Sequence, residues 1–368
     1  MATVTVEQIV VGYCDEVNSP WNDYPEWNCC RATGSVSYVC TESSEGVDIV
    51  FDIGSPWNRN EVEAGLKERF QRNLQNGWIR KKLFVVISHV HIDHIGNLDL
   101  VDDFRRYPCF SEVHIMCGQT LHGDVELSRD IKVVETPGHT DHDISVIVYT
   151  REYGKVAIAG DTFESQADRD DASLWKAVSV YPEDQEKSRT KLLDTENVDF
   201  IIPGHGPGFS VSLENVVEKP EQSEFEQEPI LSDTSSSNAV KRVISKSTEL
   251  ADEITVVEFE KSRILFNCGP EAKSLMTEED RSKVTMVIVS GHYMNAYCLG
   301  LFKHAQIILG RDLAAPESVY TGDHIKDDVF KVNESLKMEF RDKDMTTHLA
   351  LCEEGDNLCF IRRICGFK

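Results

Sequence analysis

The sequence predicts an α/β protein made of one complete domain followed by a partial, degenerate copy of the same fold. Three observations carry this expectation. Short β-branched and apolar runs alternate with polar helical stretches up to about residue 215, several of those runs end in His or Asp, and strand-like runs resume after residue 248 in the order of the first ones. A length of 368 residues, 40% hydrophobic and 27% charged, is enough for a sizeable core divided between two domains.

Taken in order, "VDIVFDIG", "LFVVISHV", "SEVHIMCG", "ISVIVYT", "KVAIAGD" and "VDFIIPGH" read as strands, with "RNEVEAGLKERFQRNLQ" and "PEDQEKSRTKLLDTEN" as helices between them. These belong to a first domain, 1–215. Residues 216–248 are acidic and then serine-rich, the composition of a disordered linker; its "SDTSSS" can take phosphate, but a solvated spacer is the plainer reading. From 249 to 368 strands return as "EITVVEF", "SRILFNCG", "KVTMVIVSG", "AQIILG", "THLALC" and "NLCFIRR".

Composition excludes some classes. No apolar run reaches about 18 residues, and "MATVTVEQIVVGY" lacks a basic leader and a cleavage site, so neither a membrane span nor secretion is expected. Eleven cysteines in no regular spacing suit reduced thiols in a cytoplasmic or nuclear setting. A formal charge of −25 repels polyanions unless basic residues are gathered locally, and no basic and aromatic stripe is evident.

The segment "VVISHVHIDHIGN" sets His89, His91, Asp93 and His94 at the end of a strand. In a strand His89 and His91 leave the same face, and the following turn can fold Asp93 and His94 back towards them. Imidazole with carboxylate suits zinc, and less decisively iron or manganese. Three further residues follow at strand ends or adjoining loops: His139 in "ETPGHTDHD", Asp161 in "VAIAGDTF" and His205 in "VDFIIPGHGPG". A lone histidine is more often structural, but these form a set.

The pattern H-x-H-x-D-H followed by H, D and H resembles the metallo-β-lactamase superfamily, and runs complete through residues 1–215. The resemblance implies an αββα sandwich in which His89, His91 and His139 hold one metal ion, Asp93, His94 and His205 a second, and Asp161 bridges. "HIDHIGNLDL", "GSPW", "TPGH" with "DISVIV", "AGDTFE", "EKSR" and "PGHGP" narrow the likeness to the branch of metallo-β-lactamase domain-containing proteins of type 1. That branch is linked to endonucleolytic cleavage of histone pre-messenger RNA, so the likeness implies RNA as partner. Two close metal ions lower the pKa of water from about 15.7 towards about 7, so a metal-bridging hydroxide is available to attack an ester, thioester or phosphodiester. Asp93 belongs to the catalytic group on this reading. Asp52 in "VFDIG" is a candidate for orienting a ligand histidine, and His142 for protonating a leaving group, although an exposed loop residue explains His142 as well.

Departures from other branches narrow the substrate. Asp161 stands where the main class of zinc β-lactamases has a cysteine, which argues against antibiotic hydrolysis. The interval from Asp161 to His205 is too short for the cassette of polyadenylation-type nucleases, and the strand-rich C-terminal part is unlike the helical domain of glyoxalase-type thioesterases. A thioester hydrolase and a non-catalytic, metal-stabilised binding protein stand as alternatives; structural zinc is usually closed by four protein ligands, whereas this set leaves positions for water.

The C-terminal part repeats the first in outline. "SRILFNCGP" answers "VDIVFDIGSP", and "KVTMVIVSGHYMNAYCLGLF" answers "LFVVISHVHIDHIGNLDLV", which sets Gly291, Tyr293, Asn295 and Ala296 in the places of His89, His91, Asp93 and His94. No metal site can be rebuilt from those residues. The expectation is a pseudo-domain that packs on the first as a built-in dimer partner, with a homodimer as the alternative.

Overall fold

The computed structural model describes residues 3–17, 29–212, 255–258, 263–289 and 293–309, and the strands at 319–320, 329–331, 336–342, 345–354 and 357–365. The expected linker, 216–248, lies outside the described residues.

The first sheet draws on β1 (Val4–Val10), β4 (Val36–Thr41), β5 (Val47–Phe51), β6 (Lys81–Ile87) and β7 (Phe110–Cys117), side by side in that order; β2 (Tyr13–Val17) and β3 (Cys29–Thr33) form a separate hairpin. Pairing is antiparallel up to β5 and parallel from β5 to β7. Parallel neighbours need crossovers. Here α1 (Arg59–Gln75) links β5 to β6, and α2 (Ile92–Ile95) with α3 (Leu100–Phe104) links β6 to β7. The second sheet runs β13-β12-β11-β10-β9-β8, from β8 (Val125–Ser128), β9 (Ile131–Glu135), β10 (Ile144–Thr150), β11 (Gly154–Gly160), β12 (Phe200–Pro203) and β13 (Phe209–Ser210). Only β11 and β12 are parallel, and α4 (Ala172–Lys176) and α5 (Pro182–Thr190) lie between them.

Side-chain alternation along the strands builds the layers. Val50, Leu83, Val85 and Ile87 face a core shared with Val62, Leu66 and Phe70 of α1, which recur four residues apart on one helix face. Ile49, Phe51 and Val86 face the other way, against Val146, Val148, Val156 and Ile158 of the second sheet. The far side of that sheet packs Ile147, Ala157 and Ala159 with Phe163 and Leu192. The result is helix, sheet, sheet, helix.

Beyond the gap, β14 (Thr255–Glu258), β15 (Arg263–Phe266), β16 (Met286–Val289) and β17 (Gln306–Leu309) form a third sheet, with α6 (Glu271–Leu275) and α7 (Glu278–Ser282) between β15 and β16. β18 (Val319–Tyr320) pairs with β3, β19 (Val329–Lys331) extends the third sheet, and β20 (Leu336–Asp342), β21 (Met345–Glu354) and β22 (Asn357–Cys365) form an antiparallel sheet of their own. The third sheet packs on the helical side of the first. Val287, Val289, Leu299 and Phe302 share one continuous core with Leu66, Ile95, Val101 and Phe104. Among the described residues, no helix is long and apolar enough to cross a membrane.

Candidate metal centre

Each residue of the expected set follows the end of a strand: His89, His91, Asp93 and His94 come after β6, His139 after β9, Asp161 after β11 and His205 after β12. The structure brings all seven together, and none is more than 8% exposed. His91 Nδ1 stands 2.9 Å from His89 Nε2 and 3.1 Å from His139 Nε2, and Asp161 Oδ2 lies 3.5 Å and 3.3 Å from those two Nε2 atoms. On the other side, Asp93 Oδ2 is 3.5 Å from His94 Nε2 and 3.4 Å from His205 Nε2, while Asp161 Oδ1 is 3.2 Å and 3.5 Å from the same nitrogens.

These spacings fit a metal ion. Ligand atoms held at about 2.0–2.1 Å around a tetrahedral cation stand about 3.3 Å from one another. Asp93 Oδ1, His94 Nε2 and Asp161 Oδ1 are buried without a hydrogen-bond partner, and a buried group of that kind calls for an explanation such as an ion. Electrostatics agree with the geometry. Burial, aided by the neighbouring rings, pushes His89 well below the ordinary imidazole range, so that its lone pair is available for ligation. Burial also pushes against His94, but Asp161, Asp93 and Asp52 outweigh it and raise its pKa strongly, a measure of the negative field that a cation would meet. Two ligand groups share one carboxylate, and the cluster can hold divalent metal.

The atoms facing away from the cluster are also fixed. Asp52 accepts from the Ser88 amide at 2.7 Å and hydroxyl at 2.8 Å, and its Oδ2 lies 2.7 Å from His94 Nδ1, so the expected orienting contact is present. Ser88 Oγ is 3.0 Å from His89 Nδ1, and His205 Nδ1 faces the carbonyls of Tyr13 and Thr33 at 3.2 Å and 3.1 Å. α5 straps two loops: Gln185 Nε2 donates to the Asp161 carbonyl at 2.8 Å and Ser188 to the Pro137 carbonyl at 2.7 Å, while Arg189 pairs with buried Asp168 at 3.1 Å.

His142 is not among the gathered ligand atoms. Its ring is 51% exposed, 3.4 Å from Asp141. Its neighbour Asp143 turns inward instead and accepts from the Gly138 amide and from the amide and hydroxyl of Thr140, fixing the His139 loop; burial pushes this carboxyl up to about 7, against those donors. Asp143 and Glu164 are the residues that sequence reasoning missed. Glu164 Oε1 lies 3.3 Å from His139 Nδ1, and burial beside Asp161 raises its pKa well above the ordinary value.

No family model matches the chain. Metallo-β-lactamase domain-containing protein 1 of Homo sapiens is 34% identical over 216 residues, which cover 55% of this chain and 74% of that one. Its Xenopus laevis counterpart is 32% identical over 198 residues, 49% of this chain and 74% of that one. The chain belongs to the metallo-β-lactamase domain-containing protein 1 family. Among solved structures, a putative metallo-β-lactamase from Thermotoga maritima aligns over 56% of this chain and 99% of that one, at 19% identity and a TM-score of 0.36. The family assignment and the layer order agree on a mixed α/β sandwich of the metallo-β-lactamase kind.

Proposed function

We propose that the chain is a binuclear metallohydrolase that cleaves phosphodiesters, RNA among them. The observation that carries this reading is Asp161, which turns one oxygen to His89 and His139 and the other to His94 and His205. A carboxylate divided in that way suits a bridge between two ions. Bound there, two divalent ions would make hydroxide available at neutral pH and stabilise both oxygens of an in-line displacement. The chain would do the rest. His89, His91 and His139 form one ligand group, Asp93, His94 and His205 the other, and Asp52 and Ser88 keep two of the rings turned inward. Asp93, whose Oδ1 is buried without a hydrogen-bond partner, is the carboxylate of the second group and belongs to the catalytic set on this reading. The His142 ring is half exposed beside Asp141 and, among the described residues, lies outside the gathered groups. Nitrogen and oxygen donors suit zinc, with iron or manganese able to occupy the same positions.

Cleavage of histone pre-messenger RNA is the substrate implied by the family likeness. A charge of −25 favours a second reading, a thioester or small neutral ester, and one experiment separates the two. Metal content per chain is measured on protein purified without added metal, followed by turnover of bis(p-nitrophenyl) phosphate and of a thioester in parallel. About two equivalents with phosphodiester turnover supports the proposal; thioester turnover alone replaces it with the second reading, and metal without either turnover points to a binding protein. His91→Ala is expected to lose metal and activity while keeping its fold, and wild-type turnover in that variant would sink the assignment.

The C-terminal part is proposed as a degenerate copy acting as an intramolecular partner. Supporting observations are local. Asp52 and Asn267 both have φ 56° one residue past a strand. Asp52 N donates to Val86 O and Asn267 N to Ile288 O, each on the neighbouring parallel strand; Ile53 N donates to His94 O, and Cys268 N to Asn295 O. On this proposal the last pair would match Asn295, rather than Ala296, to His94. A cytoplasmic or nuclear setting is in keeping with Cys40, Cys109, Cys117, Cys268 and Cys298, which are buried and outside any disulfide.

A further inference from the structure

Glu164 stands where the loops of the cluster meet. Its backbone carbonyl accepts from the His205 amide at 2.6 Å, and its own amide donates to Asp168 at 2.7 Å. Its carboxylate reaches 3.3 Å from His139 Nδ1 with Oε1 and 3.7 Å from His205 Nε2 with Oε2. His139 uses Nε2 towards the cluster, so Nδ1 is the ring atom turned away from it. Glu164 Oε1 and His139 Nδ1 are both buried, neither has a hydrogen-bond partner, and they face each other at 3.3 Å. An imidazole that offers Nε2 as a lone pair carries its proton on Nδ1, and that proton needs an acceptor.

We propose that Glu164 is a positioning residue for the metal centre: its carboxylate fixes the tautomer and orientation of His139, and its peptide ties the Asp161 and His205 loops together. The proposal rests on the metal-centre reading above. Two other uses of the same side chain are distinguishable from it. Glu164, Asp161 and His205 lie close enough together to ligate an ion directly, and a carboxylate at this place can also act on substrate.

The test compares wild type, Glu164→Ala and Glu164→Gln, each stripped and reloaded with zinc in competition with a chromophoric chelator, and separately with cobalt to record the visible spectrum. Glu164→Ala is expected to lower affinity for the first ligand group roughly 10–100-fold, as loss of such outer contacts does, and to shift the cobalt spectrum. Glu164→Gln keeps a carbonyl acceptor for the His139 N–H and is expected to stay within about threefold of wild type. Thermal melts with excess metal check the fold. Wild-type affinity and spectrum in Glu164→Ala, with turnover alone lost, would place Glu164 on the substrate and overturn the proposal. Equal metal loss in both variants would make it a direct ligand and overturn it too. Failure of the wild type itself to bind metal would instead overturn the reading on which the proposal rests.

Discussion

Asp52 adopts the left-handed region directly after β5, where Asp and Asn are tolerated better than most residues. That conformation turns its carboxylate back onto Ser88 and His94 rather than onward along the strand. Replacing it by Ala leaves His94 Nδ1 without its carboxylate, and metal affinity is expected to fall roughly 10–100-fold, measured by chelator competition; unchanged affinity would remove Asp52 from that role. The seven clustered residues were legible before the structure because each sits in a short motif at a strand end. Glu164 was not: it ends the "AGDTFE" motif, but its partners His139 and His205 are distant in the sequence, so the motif alone gives it no role. His142 shows the reverse. Its spacing from His139 invited a role, but the Thr140–Asp143 turn directs Asp143 inward and leaves the neighbouring ring outside.

Two turns carry the same three letters, Pro-Gly-His, and need the glycine for different reasons. Gly138 has φ 144°, and a Cβ there would stand 2.1 Å from the Gln185 backbone nitrogen, so the glycine lets α5 close on the His139 loop. Gly204 leaves the space that Asp161 Oδ1 fills, 1.8 Å from where a Cβ would be. Gly204→Ala must therefore displace the shared carboxylate. Shifts of about 1 Å at such a centre can cost about 100-fold, and turnover together with metal content is expected to fall in this variant while unfolding by urea changes less. Full activity would show that the carboxylate can move without loss. The helix expected over "PEDQEKSRTKLLDTEN" is present only in part: α5 stops at Thr190 and the chain continues as a wider π-turn over Lys191–Thr195, after which Asn197 at φ 51° ends it. Periodicity alone does not distinguish these windings, because the polar faces look alike; "EKSR" makes sense only once Ser188 and Arg189 are seen gripping the loops.

The C-terminal half meets the first across the turn that follows His94. Asp99, fully buried, is gripped by Arg59 at 2.5 and 2.7 Å, receives Lys273 at 3.5 Å, and donates its amide to Tyr297 O at 3.0 Å. Gly300 lies against Asn97 and Gly96, where a Cβ would be 2.3 Å from Asn97 Oδ1 and 3.0 Å from the Gly96 carbonyl. Gly300→Val is expected to wedge this contact, lowering stability in urea by about 1–3 kcal/mol and reducing metal retention with it. Lost stability with full metal content would limit the second half to scaffolding. The strands β14 to β17 were legible as apolar runs; the face on which they pack was not, since α1 to α3 show one apolar side whether a sheet, a helix or a second molecule covers it.

The core that runs without interruption from Leu66 to Phe302 has one more consequence. Two separate subunits that complete each other part on dilution, because their encounter depends on how many of them a volume contains. A partner carried on the same chain is always nearby, at an effective concentration fixed by the tether. On the partner role proposed above, the contact beside His94 is indifferent to how scarce the protein becomes.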